Sequence, residues 1–350
     1  MYSKDGEDYF VVDGHIHYWD GGEANQANRY GKGFTNCFYD YHKNLSPEEY
    51  VWDLEKFGNY PEDGMIHDLF EVGYADKAIF QPTYLRDFYA NGFNTTERNG
   101  EVAERHPDKF ILNGAWDPRD GENGLKDLEK LHERWNLKGV KLYTAEWRGS
   151  SRGWKLSSPE AYQYLEKCEE LGIRNIHVHK GPTIYPLNRD AFDVQDVDEA
   201  ASMFPNLRFV VEHVGLPRLE DFCWIATQEP NVYGGLAVAM PFIHSRPRYF
   251  AQIIGELLYW LDENRLLFGS DYAIWQPKWL VEKFVDFQIP EDMQGEYGVL
   301  TPDIKRKILG LNAASLYDIE VPEGVAVSPE PADSGETIGA GPKVPAGQSA

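Results

Sequence analysis

The chain is short of cysteine and of positive charge and has no long apolar run, and each shortage excludes a class of protein. Its three cysteines, Cys37, Cys168 and Cys223, are widely spaced and form no CxxC pair. Neither a disulfide framework nor a thiolate zinc site is expected, and the chain reads as one from a reducing compartment. Lysine and arginine number 34 against 57 aspartates and glutamates, a net charge of −23. Phosphate backbones and anionic membrane surfaces are bound by clustered cations, so neither nucleic acid nor a membrane is expected as a partner. No apolar stretch approaches the ~20 residues of a membrane span. The first residues, Met1-Tyr2-Ser3-Lys4-Asp5-Gly6-Glu7-Asp8, are acidic and lack the apolar core of a secretory signal, so the expected location is cytoplasmic.

What is present is a large supply of core residues, 42% hydrophobic with 14% aromatic, which rules out global disorder. Apolar strand-like runs fall at 9–15, 77–81, 110–115, 139–143, 174–179, 207–213, 232–236 and 265–269. Helical patterns lie between them at 96–105, 125–135, 159–170, 198–203, 249–261 and 277–287. Pro159 follows two serines and Pro302 follows a threonine, which is helix-start chemistry. Eight strands, each followed by helix, predict an α/β fold: a single (β/α)8 TIM barrel. An open doubly wound sheet is the runner-up, but no GxGxxG follows the first strand. No internal repeat interrupts the alternation. Two stretches stand outside it. Residues 19–61, aromatic and rich in Gly and Asn, form a long insertion after the first strand, on the loop side of the barrel. Residues 322–350 are rich in Pro, Gly, Ser and Ala and are expected to be a disordered tail behind a barrel of residues 1–321.

The histidines are placed more tellingly than they are counted. His15 and His17 end the first strand, His177 and His179 the fifth, His213 the sixth, and Asp271 follows the eighth. In a closed barrel these ends converge on one rim, and alternation turns both members of an HxH pair to the same face. Imidazoles with a carboxylate are a ligand set for Zn, Fe, Mn or Co. A single buried histidine is more often an ordinary core residue. Ligand types at four separate strand ends, in barrel order, outweigh that reading.

The run Val12-Asp13-Gly14-His15-Ile16-His17, followed by His179-Lys180-Gly181, Glu212-His213-Val214-Gly215 and Phe268-Gly269-Ser270-Asp271-Tyr272, resembles the amidohydrolase superfamily. The nearest likeness within it is the branch of aminocarboxymuconate-semialdehyde decarboxylase and γ-resorcylate decarboxylase. Ile308-Leu309-Gly310-Leu311-Asn312-Ala313-Ala314 is similar to that branch's closing helix, and the resemblance spans residues 9–318. It implies a divalent metal, Zn or Fe/Mn, as one or two ions per chain. It makes His15, His17 and His179 ligands, His213 the histidine that orients an attacking water, and Asp271 both ligand and general base. His177 adds an imidazole to the usual set: either a further ligand or a hydrogen-bonding histidine one layer deeper. Lys141 ends the fourth strand, where binuclear superfamily members can carry a carbamylated bridging lysine; an ordinary rim lysine is the preferred expectation. Glu146 and Glu212 lie near enough in sequence to supply further carboxylate, but Glu212 alternates away from His213 and is expected to face outward.

The leading function is a metal-dependent hydrolase or non-oxidative decarboxylase, acting on a small organic acid, lactone or amide through a metal-activated water and Asp271. The alternative is a dinuclear Fe/Mn oxygenase resembling the aminoisobutyrate hydroxylase type, with His177 or Lys141 serving a second ion. A non-catalytic partner subunit is disfavoured, because the ligand set is intact. Arg86, Arg148 and Trp147 lie on loop-side segments that mix Arg with aromatics, and with Lys141 they are the expected substrate-binding residues for a small carboxylic acid. Surface ion pairing is the competing role for either arginine. Tyr18, Trp19, Phe34, Phe38, Tyr39 and Tyr41 are expected to build a lid or a subunit interface, in a homo-oligomer or a pair with a related subunit.

Overall fold

A computed structural model describes residues 1–325 of the chain. It opens on a hairpin absent from the expectations above, β1 (Tyr2–Lys4) and β2 (Glu7–Tyr9). Asp5 and Gly6 make its two-residue turn, both at positive φ (53° and 84°), as a turn matched to strand twist requires. Tyr9 therefore belongs to the hairpin, and the first barrel strand is shorter than its apolar run.

Eight parallel strands follow: β3 (Val12–Ile16), β4 (Lys77–Phe80), β5 (Phe110–Gly114), β6 (Gly139–Leu142), β7 (Asn175–His179), β8 (Arg208–Glu212), β9 (Val232–Gly235) and β10 (Leu266–Leu267). Each pairs with the next in chain order. Backbone bonds close the ring between first and last: Gly14 N to Phe268 O at 3.0 Å, Asp271 N to His15 O at 2.9 Å and His17 N to Tyr272 O at 2.7 Å. The Gly in Asp13-Gly14-His15 is explained by this seam, since a Cβ on Gly14 would sit 2.8 Å from the Phe268 carbonyl oxygen. Helices cover the outside at the expected places, within a few residues at each end. Ser158 and Thr301 cap theirs through hydrogen bonds from Ala161 N and Ile304 N, and proline follows each cap.

The insertion is not a loop. It contains a 17-residue helix, Arg29–Leu45, capped by the Asn28 side chain on Tyr30 N. Gly31 and Gly33 hide it in the sequence by lowering helix propensity. Gly31 is needed because the Phe88 carbonyl oxygen lies where a Cβ would be, 2.5 Å away. Phe34 and Phe38, one turn apart, bury against Trp19 and Phe93, each contributing about 2–3 kcal/mol of apolar burial.

At the opposite end, the closing segment Pro302–Tyr317 lies across the barrel floor. The floor is Phe10, Val12, Ile79, Val210, Leu267, Ala313, Ala314, Leu316 and Tyr317. Val325 packs on this cluster, so the first residues of the expected tail join the core; 326–350 lie outside the described residues. No helix among the described residues is long and apolar enough to cross a membrane.

Candidate metal centre at the barrel rim

His15 and His17 leave β3 with their rings turned to the barrel axis and meet Asp271 beyond β10. One ligand atom from each lies within 4.8 Å of the others. His15 Nε2 is 3.2 Å from His17 Nε2 and 3.7 Å from Asp271 Oδ1, and His17 Nε2 is 3.0 Å from that oxygen. The opposite nitrogens decide the protonation. His15 Nδ1 is 2.8 Å from Glu212 Oε2, and His17 Nδ1 is 2.7 Å from the Gln81 carbonyl oxygen. Both oxygens accept, which favours a proton on Nδ1 of each ring, although the Asn94 amide nitrogen also reaches His17 Nδ1, at 2.8 Å. Two Nε2 lone pairs and a carboxylate oxygen then face one another in a buried space. A cation is what such a donor set fits.

Burial is the largest influence on His15, His179, His213, Asp271 and Asp13. It pushes His15 down to about 3, and His179 and His213 also fall, so these imidazoles stay neutral. Burial alone would raise the Asp271 carboxyl, but His15, His17 and His213 outweigh it and hold Asp271 ionised. Asp13 goes the other way, up to about 7 by burial, and its Oδ1 accepts from Ser270 N and His15 N across the seam. Asp271 itself sits at φ 57°, a left-handed conformation that Asp tolerates better than most residues.

His179 and His213 form a pair beside this cluster, with His179 Nδ1 3.0 Å from His213 Nε2. His213 Nδ1 is 3.0 Å from the Ala237 carbonyl and 4.0 Å from Asp271 Oδ2. His213 thus contacts His179 on one side and faces Asp271 on the other.

The barrel interior corrects one expectation and sharpens two others. Glu212 faces inward, not outward: its two oxygens reach His15 and His177. Strand alternation stops one residue too early to predict this, because His213 is at φ 68° and the chain turns there, bringing successive side chains to the axis. Lys141 stands in the rim cluster itself. It is fully buried, with Nζ 3.3 Å from His15 Nε2, and burial lowers its ammonium to about 8. His177 is the deeper of its two alternatives, with Nδ1 held by Glu212 and Nε2 by Tyr317.

Above the cluster opens a narrow cleft. Phe38 and Tyr41 of the insertion helix wall it with Phe93, Tyr143, Ile274 and Trp275, while Lys141 and Asp271 lie at its base. The insertion aromatics thus split between covering the cleft and packing the core. Arg86, Arg148 and Trp147 do not line it. Arg86 stacks on Tyr84 and lines a small neighbouring hollow, which shares Thr83, Lys141 and Tyr143 with the cleft. Arg148 pairs with Asp120, and the Trp147 ring packs against Tyr30 and Phe88. Glu146 is buried beside that hollow, accepting from Arg86 N at 3.0 Å.

The amidohydrolase family model matches residues 12–319. The chain belongs to the amidohydrolase family. A search of curated proteins finds no match. Solved structures share the barrel at low identity. An uncharacterised TIM-barrel protein from Bordetella bronchiseptica is 18% identical, with TM-score 0.64 over 88% of this chain and 98% of that one. A 2,6-dihydroxybenzoate decarboxylase from Rhizobium is 13% identical, with TM-score 0.56 over 89% and 99%. A 5-carboxyvanillate decarboxylase from Novosphingobium aromaticivorans, with bound manganese, is 12% identical, with TM-score 0.54 over 91% and 99%. This amidohydrolase is an enzyme of the superfamily whose neighbours include decarboxylases, and its His-His-Asp cluster fits a divalent metal.

Proposed function

We propose that this amidohydrolase is a divalent-metal-dependent enzyme that decarboxylates or hydrolyses a small, planar carboxylic acid. The observation that carries the reading is the convergence of His15 Nε2, His17 Nε2 and Asp271 Oδ1, with far-side oxygens favouring a proton on each Nδ1. A divalent ion bound there would supply a Lewis acid for the substrate's oxygens.

The chain's own residues would do the rest. Asp271, ionised and at the base of the cleft, is placed to take a proton from water or return one to a substrate carbon. His213 faces Asp271 from the other side and can hold a developing negative charge if it donates. Lys141 is a basic group in an otherwise acidic molecule, and it answers how an anionic substrate is captured against a net charge of −23. Phe38, Phe93, Tyr143 and Trp275 give the cleft flat apolar walls that suit a planar acid and keep water out. The decisive assay is carbon dioxide release and hydrolysis across a panel of aromatic and unsaturated acids with the metal-loaded protein. Turnover that vanishes with metal removal supports the reading. Full activity in the metal-free chain would end it.

A second reading, a two-metal oxygenase on the same fold, draws support from Lys141 lying against His15 with the His179–His213 pair alongside. Metal analysis of protein purified without chelators separates the two. About one redox-inert ion per chain favours the first, and about two ions including iron, with oxygen consumption, favour the second.

A further inference from the structure

Below the metal cluster the barrel interior carries polar side chains that packing alone does not require. Glu212, His177, Tyr317 and Asn113 are all buried, and their hydrogen bonds can be followed donor by donor. The Glu212 carboxyl lies between two imidazoles, one oxygen against His15 and the other against His177. An ionised carboxylate only accepts. His177 Nδ1 is 2.5 Å from Oε1 in a hydrogen bond, and His15 Nδ1 is 2.8 Å from Oε2 in a charge contact that favours a proton on that nitrogen. His177 Nε2 is left as an acceptor, and Tyr317 Oη, 2.7 Å away, donates to it. Tyr317 in turn accepts from Asn113 Nδ2 at 2.9 Å. Gln81 Nε2 also reaches His177 Nδ1, at 3.1 Å, and the Tyr317 hydroxyl has a second acceptor in Asn113 Oδ1, at 3.1 Å. With its proton on the Glu212 side, His15 turns an unprotonated Nε2 toward Asp271 and Lys141 Nζ.

We propose that Glu212 is a positioning residue of the metal centre. By bridging His15 and His177 it locks the tautomer and ring plane of His15, and Tyr317 of the closing helix sets the bridge from below. The inference rests on the metal-dependent reading above. It adds that metal affinity depends on residues that touch neither metal nor substrate. One of them lies on the last helix of the barrel, behind the floor rather than at the rim. Carboxylates and hydroxyls behind a metal-binding imidazole fix its orientation and raise its basicity, and their loss typically costs about 10- to 100-fold in metal affinity.

The test compares the metal-free wild type, Glu212→Gln and Tyr317→Phe, each titrated with Mn²⁺ against a competing chelator. Thermal melts of the metal-free chains check the fold, and histidine ¹⁵N NMR reads the tautomers at one fixed pH. Glu212→Gln is expected to weaken Mn²⁺ binding about 10- to 100-fold and to move His15 from a single Nδ1–H tautomer to a mixture. Tyr317→Phe, which removes one hydroxyl and keeps the ring, is expected to weaken binding by up to about tenfold. A folded Glu212→Gln chain with wild-type affinity and an unchanged His15 signal overturns the proposal. Should that variant not fold, Tyr317→Phe decides: wild-type affinity and an unchanged His177 signal overturn it. Should the wild type bind no divalent ion, the metal reading falls, and the His15 tautomer in the variants alone decides whether Glu212 holds that ring.

Discussion

The rim and the floor of this barrel are built on opposite principles. At the rim, His213, Val214, Val238 and Asp271 hold positive φ values of 68°, 46°, 66° and 57°. Such backbone costs about 1–3 kcal/mol per residue, most for β-branched valine. Around it sit buried histidines, aspartates and a lysine whose protonation is displaced by burial. On the floor, Val12, Ile79, Val210, Leu267 and Ala313 pack in regular strand and helix. The difference teaches a division of labour. Strain and buried polarity persist at one end because aliphatic packing at the other over-determines the fold. The Glu212–His177–Tyr317 run is the place where the two ends meet.

Each prediction tests that division, and the first has the largest expected effect. Asp271→Asn should lower turnover of any substrate found by about 10²- to 10⁴-fold while the circular-dichroism melt stays near wild type. A wild-type rate would remove Asp271 from the chemistry, and a collapsed melt would place stability at the rim. Leu267→Ala on the floor should do the reverse, costing about 2–5 kcal/mol in denaturant unfolding with metal affinity unchanged in the folded protein. Stripping the divalent ion should lower stability by about 2.7 kcal/mol relative to the protein held at ~100 times its Kd. Equal melting temperatures with and without chelator would leave the cluster without a bound ion.

The smallest effect concerns Glu146, away from both ends. Burial raises its carboxyl above the usual range against the pull of Arg86. A raised carboxyl contributes stability while protonated and loses it as pH climbs through the folded-state value. Wild type should therefore lose stability relative to Glu146→Gln as pH rises above the usual carboxylate value of about 4, read as a shift in urea midpoint. A difference that stays flat with pH would show that the buried carboxyl carries no such cost.

Much of the site was legible because its signals are local. The HxH at 15 and 17, the histidines at 179 and 213, and Asp271 after the eighth strand could be placed on one rim by counting strands. Alternation then predicted correctly that His177 turns inward with His179, but not that its nitrogens are taken by Glu212 and Tyr317. The insertion helix was readable in principle from Phe34, Phe38 and Tyr41, at helical spacing. It was obscured by Gly31 and Gly33, whose reason is a neighbouring carbonyl and a tyrosine ring distant in sequence. Arg86 and Arg148 looked like carboxylate binders by type, yet local acids and rings hold them off the cleft.

The sequence by itself determined the eight-stranded barrel, the family and the ligand types, because strand periodicity and motif order survive without tertiary contacts. Only the folded chain decided which way Glu212 points, that Lys141 is buried against His15, and that Tyr317 meets His177 from beneath. One left-handed residue at His213 is enough to defeat alternation at a strand end. A hydrogen bond between residues 177 and 317 leaves no local mark on either segment. Their meeting is a property of barrel closure, which brings the last helix under the first strand.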